Sequence, residues 1–215
     1  MDAVVFDLDG VLVDSERAWD EVRRTVVAEH GGAWTDAATR AMQGMSTPEW
    51  ATYLVDELGA ALTPDEAAKV VVDEMARRYA DAPPVIDGAA DAVRAVAARL
   101  PVGIASSSPP VLIEAFLSFA GLTAVVPVVV SSEEVAAGKP APDVYLEAAR
   151  RLDVDPRRAA AVEDSTNGLR SAHAAGLTVI AVPNPHFPPD PAVLAATATT
   201  VLADIAALPA ALERL

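Results

Sequence analysis

Six polar residues stand at or just beyond the ends of short apolar runs in this 215-residue chain. Asp7 and Asp9 follow Ala3–Phe6, Ser106 follows residues 102–105, Lys139 lies past the run 125–130, and Glu163 and Asp164 close the run 159–162. If those runs are strands of one open sheet, ligands bind beyond their carboxyl ends, and residues far apart in sequence converge on one crevice. Two sets of carboxylates facing each other repel strongly unless a divalent cation lies between them, and hard oxygen ligands suit magnesium. Such a cation, with Lys139 and the Ser106 hydroxyl, makes a positive pocket the size of a phosphate group.

The periodicity of the chain supplies elements to hold these residues. Ala3–Phe6 reads as a buried strand entering a loop at Asp7-Leu8-Asp9-Gly10. Residues 15–29, 35–42, 48–58 and 64–80 read as helices, broken at Gly31-Gly32, Gly44 and Gly59. Thr63-Pro64 with Glu66 close behind is a good helix start. After Pro83-Pro84 the pattern alternates. Helices at 89–100, 111–120, 143–152 and 168–175 interleave with strands at 102–105, 125–130, 159–162 and 177–182. That alternation predicts an α/β fold: a Rossmann-like, doubly wound parallel sheet with helices on both faces. The core is expected to comprise residues 1–14 and 83–215. Residues 15–82 form an inserted helical domain, hinged at Val13-Asp14 and Ala82-Pro83-Pro84.

Composition narrows the function. Half the residues (52%) are apolar, enough for a packed core and too many for a disordered chain. No apolar run reaches the roughly 18 residues of a membrane span, and no basic start precedes the first apolar stretch, so no membrane association and a cytoplasmic location are expected. The absence of cysteine excludes disulfides, thiolate metal sites and thiol nucleophiles. With 16 Lys and Arg against 31 Asp and Glu, the net charge of −15 makes nucleic acid a poor partner. A small anionic substrate is compatible with that charge only where a metal or a local lysine reverses the field. A monomer or weak dimer is expected.

Four segments carry a resemblance. Asp7-Leu8-Asp9-Gly10-Val11-Leu12-Val13-Asp14-Ser15 resembles the first motif of the haloacid dehalogenase superfamily, and Ser106 at its strand end resembles the second. Gly138-Lys139-Pro140-Ala141-Pro142-Asp143 resembles the third. Val162-Glu163-Asp164-Ser165, with Gly168 and Ala175-Gly176, resembles the fourth. They occur in order over roughly residues 1–183, and the insertion between the first two is similar to the family's first cap type. The resemblance implies a magnesium-dependent phosphatase acting on a small phosphorylated metabolite. Asp7 would be the nucleophile on phosphorus, and Asp9 the acid for the leaving oxygen and then the base for water. Ser106 and Lys139 would hold the phosphoryl oxygens. Asp7, Asp164 and the Asp9 main-chain carbonyl would bind magnesium, with Glu163 direct or through water. Ser107 and Ser108 can add main-chain N–H groups to the phosphate site, although Ser108 suits a helix cap before Pro109-Pro110 equally well.

Other readings of single residues are weaker jointly than singly. Asp9 alone would be a turn residue, Lys139 a loop lysine, and Glu163-Asp164 the acidic start of a helix. Asp14 and Ser15 are expected to cap the first inserted helix. His30, His173 and His186 lack metal-ligand spacing, and Ser106 has no His/Asp partner for serine hydrolysis. A dehalogenase of this superfamily would lack Asp9, and an inactive phosphate-binding regulator would have lost one of Asp7, Asp9, Lys139 or Asp164. A receiver-type signalling domain would not carry the long helical insertion. A β-phosphoglucomutase would place a His and an Arg in the insertion where this chain has Trp19 and Thr47, so water is the expected acceptor. Trp19, Met42, Gln43, Met45 and Trp50 are expected to line the crevice, with Trp19, Met45 and Trp50 setting specificity and Trp50 also serving the insertion's core. The lack of a basic cluster at residues 44–47 argues against recognition of a second phosphate there.

Overall fold

The computed structural model describes residues 1–215, apart from the side chain of Asp81. Strand β1 (Ala3–Phe6) leads into four helices: α1 (Glu16–Glu29), α2 (Ala38–Met42), α3 (Thr47–Asp56) and α4 (Pro64–Asp81). The chain then alternates through α5 (Ala89–Ala97), β2 (Val102–Ser106), α6 (Pro110–Phe119), β3 (Val128–Ser131), α7 (Asp143–Arg151), β4 (Ala159–Glu163), α8 (Thr166–Ala174) and β5 (Thr178–Ala181). It ends with α9 (Pro191–Thr197), β6 (Thr200–Val201) and α10 (Leu208–Leu212). The six strands form one sheet in the order β3-β2-β1-β4-β5-β6, every pair parallel. This is the doubly wound α/β arrangement that the alternating pattern predicts.

The central strand shows why the apolar runs are continuous. Val4 and Phe6 pack into one hydrophobic cluster with residues of α5, α6 and α10. Ala3 and Val5 point to the other face, into a cluster with Tyr145 and Ala148 of α7 and Leu169 of α8. Alternate residues serve opposite faces, and both faces are covered, so no position in β1 is left for a polar side chain. The first polar residue after it is Asp7, at the edge of the sheet where the strands end.

The helices α1 to α4 form a third cluster of their own around Trp19, Val22, Trp50, Leu54, Val71 and Met75. A capping box at Thr63 and Glu66 starts α4, as its sequence signals. Two links join this insertion to the sheet domain. At the crossing, the Asp14 amide donates to the Pro84 carbonyl (2.8 Å) and the Ile86 amide to Leu12 (3.0 Å). Leu112 of α6 is fully buried in the insertion's cluster, so the sheet domain supplies part of the surface on which the helices rest.

Three features differ from the sequence expectations. Residues 125 and 126 belong to a turn in which both amides bond the Leu122 carbonyl, and β3 begins only after Pro127, which has no N–H for a ladder. Residues 35–37 precede α2 instead of opening it. The segment past residue 182 adds α9, the two-residue β6 and α10, whose Ala-rich runs carry no clear period.

Because Leu112 belongs to the core domain but is buried among the inserted helices, Leu112→Ala should destabilise the protein by about 2–5 kcal/mol. Urea unfolding would show this. A loss below about 1 kcal/mol would mean that the helices do not depend on α6 for packing.

Candidate active site

The site begins where β1 stops. The Asp7 amide still bonds the Val162 carbonyl (2.9 Å), which holds Asp7 at the sheet edge beside β4. The chain then curls: the amides of Leu12 and Val13 return to the Leu8 carbonyl, and Gly10 donates to Val13. Gly10 has φ +79°, and a Cβ there would collide with the Asp164 carboxylate, so both the turn and the carboxylate require glycine. Gly168 is required in the same way, because a Cβ would strike the Glu163 carboxylate.

Lys139 lies 2% exposed between two carboxylates, with Nζ donating to Asp7 Oδ1 (2.7 Å) and Glu163 Oε1 (2.6 Å). Burial pulls its ammonium toward neutrality, but Asp7 and Glu163 outweigh that and hold it charged. Glu163 has little bonding capacity left. Oε1 also accepts from the Tyr145 hydroxyl (2.7 Å), and Oε2 accepts from the amides of Asp164 and Ser165 and from the Ser165 hydroxyl. Its evident job is to anchor Lys139.

The remaining carboxylates are less well compensated. Asp7, Glu163 and Asp164 each bring an oxygen within 4.8 Å of the others. Burial, with Glu163 next, pushes both the Asp7 and Asp164 carboxyls well above the usual range, against the pull of Lys139. Asp164 Oδ1 is buried with no hydrogen-bond partner. Three buried carboxylates beside one ammonium, with an orphaned oxygen among them, fit a hard divalent cation bound by Asp7 and Asp164.

Asp9 turns away from that cluster. Its carboxylate accepts from Ser15 Oγ, Trp19 Nε1 (3.1 Å) and Ser108 Oγ (2.6 Å), with Ser106 Oγ at 3.4 Å. This corrects two expectations. Ser15 stands at the start of α1 but makes no side-chain cap, and Ser108 does not cap α6. Both hydroxyls instead donate to the half-buried Asp9 carboxylate, whose charge strengthens the bonds, and neither accepts from a helix N–H. Trp19, expected to line the crevice and set specificity, also donates its indole N–H to Asp9.

Around these groups, between the insertion and the sheet domain, lies a partly open cavity of about 40 Å³ with room for a few waters. Lys139, Asp164, Ser107 and Ser108 line it from below, and Met42, Gln43, Met45 and Trp50 from above. Ser106 itself is fully buried, its hydroxyl accepting from the Ser108 amide (3.0 Å). The Ser107 hydroxyl donates to the Gly44 carbonyl of the insertion (2.8 Å). Trp50 is both insertion core and cavity wall, 1% exposed with its ring 6.0 Å from that of Trp19.

Two lining residues, Glu16 and Arg23, were not among the sequence candidates. Spacing could have found them, since residues 16, 19 and 23 share one face of a helix. Burial, then Asp9, pushes the Glu16 carboxyl up to about 7. Burial lowers the Arg23 guanidinium to about 10, which leaves it charged at neutral pH.

Residues 1–176 match the family model described as haloacid dehalogenase-like hydrolase. The chain is 32% identical to hexitol phosphatase B of Escherichia coli over 199 residues, covering 88% of this chain and 86% of that protein. It is also 32% identical over 183 residues to the bifunctional riboflavin kinase/FMN phosphatase of Arabidopsis thaliana, covering 84% of this chain but only 48% of that longer protein. Among solved structures, CbbY from Rhodobacter sphaeroides, crystallised with xylulose-(1,5)bisphosphate, superposes with a TM-score of 0.81 at 26% identity, covering 96% of this chain and 95% of that one.

The orphaned Asp164 oxygen gives a direct test of the cation fit. In chelator, Asp164→Asn should raise the melting temperature by about 2–4 °C, because it removes an uncompensated buried charge. The same variant should lose the stabilisation that magnesium gives the wild-type protein. A variant that melts lower in chelator, or keeps the full magnesium effect, would remove Asp164 from the cation site.

Proposed function

Since the chain belongs to the haloacid dehalogenase-like hydrolases, we propose that it releases phosphate from a small phosphorylated sugar or polyol through an aspartyl-phosphate formed on Asp7. One observation carries this reading. The two carboxylates of the first motif sit in different surroundings, Asp7 clamped to Lys139 and Asp9 hung from neutral hydroxyl and indole donors. Two carboxylates with distinct environments can take distinct roles, one as nucleophile and one as acid and base.

Asp7 attacks phosphorus, the ester P–O bond breaks, and Asp9 gives its proton to the leaving oxygen. Asp9 then takes a proton from water, which attacks the aspartyl-phosphate, frees inorganic phosphate and restores Asp7. Lys139, the Ser106 hydroxyl and the main-chain N–H of Ser107 hold the phosphoryl oxygens and the charge that builds on them. Asp7, Asp164 and the Asp9 main-chain carbonyl would hold a magnesium ion, which when bound offsets phosphoryl charge. With its oxygens engaged, Glu163 acts through Lys139, or reaches the ion only through water. The insertion acts as a cap over residues 15–82 that swings on its two links to admit substrate and closes to exclude water.

Water is the acceptor on this reading because Trp19 and Thr47 stand where a phosphomutase of the family would place its His and Arg, and neither is a base. Trp19 has an N–H and no basic lone pair, and that N–H is given to Asp9. The substrate class follows the names of the relatives, a hexitol phosphatase and a protein crystallised with a pentulose bisphosphate.

Phosphate release from a panel of phosphorylated sugars and polyols should require a divalent cation, vanish in excess chelator and return with magnesium. Asp7→Asn should lower kcat by about a thousandfold or more while leaving the circular dichroism spectrum unchanged. Full activity in chelator, or a deamidation-free Asp7→Asn variant with more than about a tenth of the wild-type rate, would overturn the mechanism.

A phosphorus NMR time course with β-glucose 1-phosphate and a trace of bisphosphate primer separates hydrolysis from transfer. Inorganic phosphate should be the product. Glucose 6-phosphate accumulating faster than inorganic phosphate would make the protein a mutase.

A further inference from the structure

The guanidinium of Arg23 is held by stacking and, among the described residues, by no hydrogen bond. It lies between two indole faces, 4.7 Å from the Trp19 ring centre and 4.8 Å from that of Trp50. Those contacts fix its position without using a single N–H. Its Nε is buried with no hydrogen-bond partner, and among the described residues the side chain enters no ion pair. Yet it lines the same cavity as Asp7 and Asp9, with Glu16 beside it. A rigidly held fork of donors, left unpaired at the wall of an active site, is a binding group awaiting an acceptor.

The acceptor is not a second phosphate. Within the cavity Arg23 faces Glu16 and Asp9, whereas Asp20 is paired with Arg24 (2.6 Å). A dianion placed there would gain Arg23 and meet Glu16 and Asp9. A neutral chain of hydroxyls meets no such conflict. Each hydroxyl accepts from a guanidinium N–H and can donate to a carboxylate, so neighbouring hydroxyls suit Arg23 and Glu16 together.

We propose that Arg23 and Glu16 form a specificity site for a vicinal diol in the uncharged tail of the substrate, which makes the enzyme selective for open-chain or ring polyol monophosphates over bisphosphates and simple alkyl esters. This rests on the phosphatase reading for the orientation of the ester toward Asp7.

The test is a binding measurement, which does not depend on turnover. The affinities of sorbitol 6-phosphate and n-hexyl phosphate are compared by calorimetry, with magnesium present, in the Asp7→Asn protein. The polyol ester is expected to bind about tenfold or more tightly, and adding Arg23→Met or Glu16→Gln should each erase most of that preference. An equal affinity for the two esters in the Asp7→Asn protein would overturn the proposal. So would a preference that survives both substitutions, as it would if Arg23 served only to pack the two indoles. Fructose 1,6-bisphosphate binding about tenfold tighter than fructose 6-phosphate, with Arg23→Met abolishing the difference, would make the site a second phosphate anchor instead. If Arg23→Met fails to fold, Glu16→Gln and the unmodified comparison of the two esters still decide the matter. Turnover is scored separately on the wild-type protein. Phosphate release without a polyol preference sinks only this inference, and a polyol preference without phosphate release sinks only the phosphatase reading.

Discussion

Everything at the crevice depends on one buried ammonium. Lys139 is held between Asp7 and Glu163 in a place where an isolated charge would be prohibitively costly. It remains charged there because Asp7 and Glu163 flank it, and Glu163 is itself fixed by Tyr145 from α7 and by the Asp164 and Ser165 amides just before α8. The arrangement therefore extends from the first strand to the fourth and to two helices, and no part is free to move alone. In return Asp7 has a fixed direction, with one oxygen committed to Lys139. The cluster remains over-supplied with negative charge, a balance that suits a hard divalent cation.

The sheet explains why this arrangement was legible. β1 is buried on both faces, so its polar residues begin only where it ends, and its neighbours β2 and β4 bring Ser106 and Glu163 to the same edge. Strand ends and motif spacing are local properties of a sequence. The parallel order then brings them together without further information.

What was not legible depends on partners that no local pattern reveals. Ser15 has the residue type and position of a helix cap, and only the curl of residues 8–13 shows that Asp9 lies within its reach. Arg23 reads as one more charged residue in the middle of a helix that would extend into solvent. It becomes a cavity wall because α3 brings Trp50 over it, a contact made across a chain reversal. β3 starts late because Pro127 breaks the apolar run, and β6 is too short for any period to register. The fold class was therefore visible in the chain, while the upper half of the site was set by packing between helices.

The suspension of Asp9 has a consequence for the order of events. Two of its donors, Ser15 and Trp19, belong to the insertion, whereas Ser108 belongs to the sheet domain. On the proposed mechanism, lifting the insertion would take part of that carboxylate's tether and its fixed aim away. Opening would then disarm the proton donor as bulk solvent fills the cleft, and closing would rearm it once a ligand is enclosed. The pairing would work as a safety interlock, in which the moving part carries the trigger's support.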